Sequence, residues 1–176
     1  MSRGKAASPV VGRVVLKLGE DVSTDAIYPG RYMATVLPSE TPQFAFADCK
    51  EFNSQLRNRQ IPPGSMVVAG SNFGCGSSRE QAASALRGYD LVIIARGFAR
   101  IFLQNAVNLG LRIFICPDLE ADEGDELTIR ADQVVNNTKR RSFRLQPLPA
   151  ARSAIIEAGG LIAYTRARLL KNSGNE

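Results

Sequence analysis

Histidine is absent from this chain of 176 residues, and cysteine is scarce. Without histidine, a Ser-His-Asp triad and every histidine-ligated metal site are excluded. The three cysteines, Cys49, Cys75 and Cys116, are far apart and form no Cys-x-x-Cys pair, so neither a zinc ribbon nor a complete iron–sulfur ligand set is present. Any chemistry must therefore use hydroxyls, carboxylates, arginines and backbone amides, or a metal that another chain supplies.

Long apolar runs are also missing. None approaches the roughly 20 residues that span a bilayer, and the apolar fraction of 44% with 22% charged residues is ordinary for a soluble globular protein. The basic start of the chain is not followed by a long apolar stretch. Residues 1–10 are therefore predicted to be a flexible tail, and residues 11–176 a single domain. These features favour a cytoplasmic protein with no membrane association.

The net charge of +5 is spread along the chain. A basic balance is compatible with nucleic acid, an anionic membrane or acidic small molecules. No recognised nucleic-acid motif accompanies it, so acidic substrates or an acidic partner protein fit at least as well. RNA binding through the basic termini is kept as an alternative, and it predicts an affinity that falls steeply with salt.

The apolar pattern predicts an α/β domain. Strands that are apolar throughout and alternate with amphipathic helices indicate a parallel sheet buried on both faces. A long loop at 19–38, rich in turn-forming residues, precedes this part of the chain. The predicted strands are 13–18, 66–69, 91–95 and 111–116, with a hairpin at 126–130 and 141–145. The predicted helices are 42–58, 78–87, 98–109 and 150–170, the last interrupted by two glycines.

A glycine- and serine-rich turn, Ser-Asn-Phe-Gly-Cys-Gly-Ser-Ser-Arg-Glu, leads from the strand at 66–69 into a helix. Its two alternate glycines allow a positive φ and a close approach of the backbone to a ligand. Ser77 and Glu80 have capping-box spacing, which predicts that Ser77 is the N-cap of the helix. The first amides of that helix would then form an anion site. Arg79 adds a planar set of donors that suits a carboxylate.

This turn does not fit the common catalytic loops. It has no Gly-Lys-Ser/Thr for a phosphate-binding loop, and no histidine serves a nucleophilic serine. A helix dipole lowers a pKa by about 1.5 at most, too little to make a serine basic at neutral pH. A bound metal lowers the pKa of water from about 15.7 to about 7. A basic Ser77 therefore needs a cation, and this chain has no ligands for one.

Three segments, in order and at the expected spacing, resemble the small subunit of 3-isopropylmalate dehydratase. The segments are 21–32 (Asp-Val-Ser-Thr-Asp-Ala-Ile-Tyr-Pro-Gly-Arg-Tyr), 72–80 in the turn, and 97–102 (Gly-Phe-Ala-Arg-Ile-Phe) with Asn105 and 108–110. The resemblance implies the swivelling β/α domain of aconitase. Its fold has a central, mostly parallel sheet, flanking helices and an added antiparallel hairpin.

The resemblance also implies an activity. The chain is expected to be the small subunit of a heteromeric hydro-lyase that isomerises a 2-alkylmalate, foremost isopropylmalate in leucine biosynthesis, by dehydration and rehydration. The family's large subunit carries a [4Fe-4S] cluster, and no cofactor is expected on this chain. Alternatives are a subunit for homoaconitate, citrate or dimethylmalate, or a non-catalytic regulatory module that binds carboxylates.

The same resemblance assigns roles to residues. Ser77 is the candidate general base, with the amides of Gly76 and Ser78 stabilising its oxyanion. Arg79 is the candidate for binding a substrate carboxylate. Asp25 matches a family aspartate at the edge of the active site and is the second candidate catalytic residue, there to orient other groups. The alternative for Asp25 is a side chain that caps a loop.

One segment departs from the family. Where related small subunits have a Tyr-Leu-Arg-Thr-type sequence that helps to select the substrate side chain, residues 32–35 read Tyr-Met-Ala-Thr. Ala34 replaces the arginine. Ala34 and Thr35 are therefore predicted to contact the substrate and to favour a different or less charged γ-substituent. Gln81 stands where many relatives have histidine, which we interpret as tuning.

Overall fold

The computed structural model describes residues 8–173, which contain one seven-stranded sheet. The strands are β1 (Val10–Lys17), β2 (Met66–Ala69), β3 (Val92–Ala95), β4 (Arg112–Ile115), β5 (Glu126–Arg130), β6 (Gln133–Asn136) and β7 (Arg141–Arg144). Their order across the sheet is β4-β3-β2-β1-β5-β6-β7. The pairs from β1 to β4 are parallel, and the pairs from β1 through β5 and β6 to β7 are antiparallel.

Six α-helices accompany the sheet in the described residues: α1 (Thr24–Ile27), α2 (Lys50–Arg57), α3 (Glu80–Gly88), α4 (Arg100–Leu109), α5 (Ala150–Glu157) and α6 (Leu161–Ser173). The predicted β-α-β-α-β unit is confirmed as β2-α3-β3-α4-β4. Its last helix ends at Gly110, which has a φ of 71°, and this left-handed conformation suits glycine at a helix end.

The apolar strands are explained by two cores, one on each face of the sheet. Successive side chains of a strand point to opposite faces. In β2, Val67 and Ala69 join the core under the helices, whereas Met66 and Val68 join a second core that the antiparallel strands cover. All four residues of β2 are buried, so both alternating sets must be apolar.

The prediction of one helix over 42–58 was wrong. The segment contains a single 3-10 turn at Thr41–Phe44, a bend, and then α2. Phe46 has a φ of 52°, which an α-helix does not accommodate. Asn53 stabilises the bend, because its buried side-chain amide donates to the carbonyl oxygen of Ala45 at 2.8 Å.

The antiparallel addition contains one strand more than the two that were predicted. β6 lies between β5 and β7, so the hairpin becomes a three-stranded meander. This strand has only two apolar residues, flanked by Gln133 and Asn136, which hides it from an apolar pattern. Asn136 is fully buried, and its side-chain amide donates to Asp125 at 2.8 Å.

The C-terminal end of the chain agrees with the prediction where it is described. The predicted interruption of the C-terminal helices is confirmed at Gly159 and Gly160, whose φ angles are 85° and 118°. Of the predicted N-terminal tail, residues 1–7 lie outside the described residues, and Val10 is already the first residue of β1. No helix within residues 8–173 is long and apolar enough to cross a membrane.

Candidate active site

The predicted site residues lie in loops that follow the parallel strands. The loops after β1 and β2 are joined by a parallel bridge between Ser23 and Cys75, and those after β2 and β3 by one between Phe73 and Phe98. All three loops therefore meet beyond the carboxyl ends of neighbouring strands. Open α/β sheets bind their ligands at this edge.

The turn after β2 depends on its glycines. Gly74 and Gly76 have φ angles of 81° and 92°, which L-residues with a side chain rarely adopt. A Cβ atom on Gly74 would lie 2.2 Å from Cγ of Phe102 in α4, so this position also requires the absence of a side chain. The amides of Gly74 and Cys75 donate to the carbonyl oxygen of Val22 at 2.7 and 3.2 Å.

Ser77 is not a helix cap, and that prediction was wrong. Helix α3 begins at Glu80, its N-cap is Arg79, and no side chain caps it. Arg79 has an extended backbone, with φ of −112° and ψ of 100°, so Ser77 and Ser78 lie in the loop before the helix. Both serines are exposed. The capping-box spacing of Ser77 and Glu80 predicts a helix that begins directly after Ser77. The chain instead stays non-helical up to Arg79, and α3 begins at Glu80.

The backbone at Ser77 is held from α1 instead. The hydroxyl of Thr24 donates to the carbonyl oxygen of Ser77 at 2.9 Å, and the Thr24 amide donates to that of Cys75 at 2.8 Å. Thr24 is only 3% exposed, so water competes little for these bonds. The Ser77 hydroxyl has no hydrogen-bond partner among residues 8–173. The result is a fixed backbone that presents an unengaged hydroxyl to solvent.

Arg79 and Asp25 form an ion pair at the same edge. Nη1 of Arg79 donates to Oδ1 of Asp25 and, at 3.2 Å, to the carbonyl oxygen of Tyr28. Oδ1 of Asp25 also accepts from the Gly30 amide at 2.9 Å. The Gly30 amide and the Arg79 guanidinium together hold the pKa of Asp25 below its usual value. Asp25 thus caps a loop, as its alternative interpretation predicted, and is also paired with the arginine, while its catalytic role stays a prediction.

The arginine is well placed to bind an anion. Its side chain is 16% exposed, whereas that of Asp25 is 62% exposed. Two of its nitrogen atoms, Nε and Nη2, have no hydrogen-bond partner in the part of the chain that the structure describes. Gly30 leaves room for this group, because a Cβ atom at that position would lie 3.1 Å from Nη2 of Arg79. A guanidinium fixed through Nη1 can still offer the opposite edge to a carboxylate.

The segment with Ala34 and Thr35 lies next to the start of α3. The side-chain amide of Gln81 donates to the carbonyl oxygen of Met33 at 3.4 Å. Ala34 is exposed and Thr35 is half-buried. The structure therefore brings this segment to the same helix that follows Arg79. Among the predicted residues, Asp25 and Arg79 are joined by an ion pair.

Sequence reasoning missed Thr24 and Tyr28, which hold Ser77 and Arg79 in place. Both lie inside the segment that resembles the family, on either side of Asp25. Neither carries a charge, and the resemblance assigned a role only to Asp25 between them. The available signal was the helical spacing, since Thr24 and Tyr28 are four residues apart and both are buried.

The described residues do not fit a metal cluster. No group of three or more potential metal ligands occurs within 8–173. Burial raises the pKa of the Cys116 thiol to about 11, as is typical of an unreactive buried cysteine. The half-buried Cys75 donates its thiol hydrogen to the carbonyl oxygen of Asp21 at 3.3 Å.

Comparison with known proteins connects this edge of the sheet to a family. The model of the aconitase C-terminal domain matches residues 24–113. The 3-isopropylmalate dehydratase small subunit of Thermodesulfovibrio yellowstonii is 41% identical over 161 residues, covering 88% of this chain and 93% of that one. The chain belongs to the 3-isopropylmalate dehydratase small-subunit family. The matched region of this family member runs from α1 to β4 and contains every predicted site residue.

Two further relatives give the fold and the breadth of the family. The methanogen homoaconitase small subunit of Methanothermobacter thermautotrophicus is 43% identical over 154 residues, covering 85% of this chain and 87% of that protein. A crystal structure of 3-isopropylmalate dehydratase from Methanocaldococcus jannaschii has a TM-score of 0.86 and 36% identity, covering 96% of this chain and 100% of that one. The predicted aconitase-type α/β fold is therefore confirmed.

Proposed function

We propose that this family member is the small subunit of a heteromeric aconitase-type hydro-lyase, which isomerises a 2-alkylmalate by removing and returning water. Isopropylmalate, in leucine biosynthesis, is the substrate that we put first. The relatives named as dehydratase and homoaconitase small subunits support a hydro-lyase complex. The observation that carries the proposal is the fixed turn, where an unengaged serine hydroxyl lies two residues before an arginine already oriented by a carboxylate.

In this proposal each residue has a separate task. Ser77 takes the proton from the carbon next to a substrate carboxylate, and the amides of Gly76 and Ser78 stabilise its oxyanion. Arg79 binds a carboxylate through the edge that Asp25 leaves open. Asp25 acts by orienting Arg79, which reduces the freedom lost when substrate binds.

The base role of Ser77 requires a partner. A serine alkoxide at neutral pH needs a nearby cation, and the relatives named as small subunits support a second chain that could supply it. We therefore propose that a large subunit carries the [4Fe-4S] cluster and that this chain is active only with that subunit. The swivel-type domain over 11–176 would present the carboxyl edge of β1, β2 and β3 to it.

Ala34 bears on which γ-substituent fits, because it stands where the dehydratase small subunits have an arginine. An alanine carries no charge with which to bind a γ-carboxylate, and the neighbouring Met33 and Val36 side chains are 40% and 66% exposed. An uncharged, partly apolar segment suits an isopropyl group better than a carboxylate, because a carboxylate that loses water without a partner is costly to bind.

The three free cysteines of this protein suit a reducing compartment, so a cytoplasmic location is part of the proposal.

The test is reconstitution. The chain is mixed anaerobically with a candidate large subunit from the same organism, iron and sulfide are added, and hydration of 2-isopropylmaleate, citraconate, homoaconitate and aconitate is measured. We expect turnover with the alkyl substrates and none with either subunit alone. If the reconstituted pair hydrates none of the four, the hydro-lyase proposal is wrong.

A homoaconitase-type reaction is the second candidate. It is favoured by the relative of that name, which is as similar to this chain as the dehydratase small subunits are. A higher kcat/KM for homoaconitate than for 2-isopropylmaleate in the same assay would select it. The replacement Ala34→Arg separates the two further, since it should raise kcat/KM for homoaconitate and lower it for the alkyl substrate.

A further inference from the structure

Tyr28 lies between Arg79 and the Ala34 turn, which in the proposed function bind different ends of the substrate. Its side chain is fully buried, and it is among the largest buried side chains of the described residues. Its carbonyl oxygen accepts from Nη1 of Arg79 at 3.2 Å. Its hydroxyl points the other way along the loop, 3.1 Å from the carbonyl oxygen of Tyr32 and 3.4 Å from that of Thr35.

Aromatic packing sets the direction of this hydroxyl. The ring of Tyr28 contacts Phe44 edge to face, with centroids 6.1 Å apart, and Phe44 stacks on Tyr32 at 4.1 Å. A tyrosine hydroxyl is protonated at neutral pH and acts as a donor here, and burial raises its pKa further. A buried hydroxyl without an acceptor is costly, and here the acceptors belong to the loop backbone.

The start of the loop that receives this hydroxyl is held by the ion pair of Arg31 with Asp48 and by stacking of Tyr32 on Phe44, whereas residues 33–35 have fewer side-chain contacts. The amide of Thr35 donates to the carbonyl oxygen of Tyr32 at 2.9 Å and closes the turn. Ala34 sits inside that turn and is exposed. The neighbouring bond from Gln81 to Met33 is long, at 3.4 Å. A phenylalanine in place of Tyr28 would fill the same core but would leave the turn without its buried donor.

We propose that Tyr28 is a positioning residue for substrate selection, which holds the Ala34 turn at a set distance from Arg79. This inference rests on the proposed function, in which Arg79 binds a carboxylate and the Ala34 turn meets the γ-substituent. One residue then connects the two contacts, because its backbone orients the arginine and its side chain orients the turn. Moving the turn changes which γ-substituents fit while the carboxylate contact stays in place.

The first test is Tyr28→Phe in the reconstituted two-subunit enzyme. The measured quantity is the ratio of kcat/KM for 2-isopropylmaleate to kcat/KM for citraconate, which carries a smaller alkyl group. We expect this ratio to change by about fivefold, the equivalent of one buried hydrogen bond. A purely structural loss lowers the fraction of active enzyme equally for all substrates, so it leaves the ratio unchanged.

The matched control is Tyr89→Phe. Tyr89 is half-buried at the far end of α3, and its hydroxyl also has a pKa raised by burial. We expect this variant to keep the wild-type substrate ratio. If Tyr28→Phe keeps it too, or if Tyr89→Phe changes it as much, the selection role of Tyr28 is overturned.

A second measurement does not depend on activity. Amide hydrogen exchange is followed in the full chain without its partner, and Tyr28→Phe should speed exchange in residues 32–37 at least threefold while β2 keeps its protection. Unchanged exchange in 32–37 would overturn the positioning role even in an active enzyme. If the wild-type pair turns over no substrate, the proposed function and the selection role fail together, while faster exchange still supports the hold of Tyr28 on the turn.

Discussion

The two halves of the sheet differ in what their buried hydroxyls hold in place, although both carry ion pairs at the surface. In the parallel half, β1 to β4, buried hydroxyls of Thr24 and Tyr28 donate to main-chain carbonyls and set the loops at one edge. In the antiparallel half, β5 to β7, charged side chains pair with one another at the surface. Bonds to the backbone position a loop, whereas exposed ion pairs contribute little to stability.

The antiparallel half also contains a network of polar side chains around Asp122 and Asp125. Asp122 pairs with Lys17 and Lys139, and Lys139 also lies 3.3 Å from the buried Asp125. Asn136 joins this group by donating to Asp125. The outer strand β7 carries arginines at both ends, and such charges protect an edge strand from pairing with another chain. The antiparallel half is built to cover the second core, and the parallel half to present a site.

The largest expected effect is that of Ser77→Ala. If the parallel half holds the base, kcat of the reconstituted enzyme should fall about a thousandfold, since general-base groups contribute on that order. The matched control is Ser142→Ala, an exposed serine on β7, which should keep full activity. Circular dichroism and subunit assembly should be unchanged in both. Substantial activity in Ser77→Ala would remove this serine from the base role.

Gly74→Ala should damage the fold through its close approach to α4. The added Cβ meets Phe102 and the φ of 81° is strained for alanine, so the free energy of unfolding should fall by about 3 kcal/mol. Gly124, with a φ of 90° and open space around it, is the control in the antiparallel half.

Gly124→Ala should lose only about 1 kcal/mol, because it carries the strain without the clash. Urea unfolding of both variants measures the difference. Equal losses would mean that the turn tolerates a side chain and that its closeness to α4 is unimportant.

Thr24→Val tests whether a buried hydroxyl positions Ser77. The replacement keeps the shape and removes the bond to the Ser77 carbonyl, so kcat should fall about tenfold with KM nearly unchanged. Thr128→Val is the counterpart in β5, where a buried hydroxyl accepts from Asn137 at 2.9 Å. Both variants should lose about 1 kcal/mol of stability. A drop in kcat for Thr128→Val of the same size would erase the contrast between the halves.

The smallest expected effects are changes in how Tm depends on pH under acidic conditions. Two lysines lower the pKa of Asp122 to about 2, so its ion pairs contribute stability above the unfolded value of about 4 and lose it as the pH falls towards 2. Asp122→Asn should flatten the fall in Tm over that range and leave kcat and KM at pH 7 unchanged.

Asp25→Asn supplies the comparison in the parallel half. The pKa of Asp25 is also lowered, so Tm should again depend less on pH below about 4. Here, however, KM should rise several-fold at pH 7, because Arg79 loses its orienting partner. An unchanged KM would make Asp25 a loop cap alone.

Much of the parallel half was predictable because its signals are local. Continuous apolar strands and the glycine at position 110 place β2, β3, β4 and α4 within about two residues. The bend at Phe46 and the short strand β6 were not predictable in this way, since a buried amide of Asn53 and pairing with distant strands decide them. The misplaced start of α3 has the same origin, because the turn is tied to Val22 of another loop.

By itself the sequence determined which chemical groups are available: hydroxyls, carboxylates and arginines without histidine. Through its resemblance to a family, it also identified Ser77, Arg79 and Asp25 as candidates. Only the tertiary structure decided how they act together, because Asp25 and Arg79 are 54 positions apart and meet only when parallel strands align their loops at one edge. Covalent order sets the spacing within a loop, whereas burial of both faces of the sheet determines which loops become neighbours.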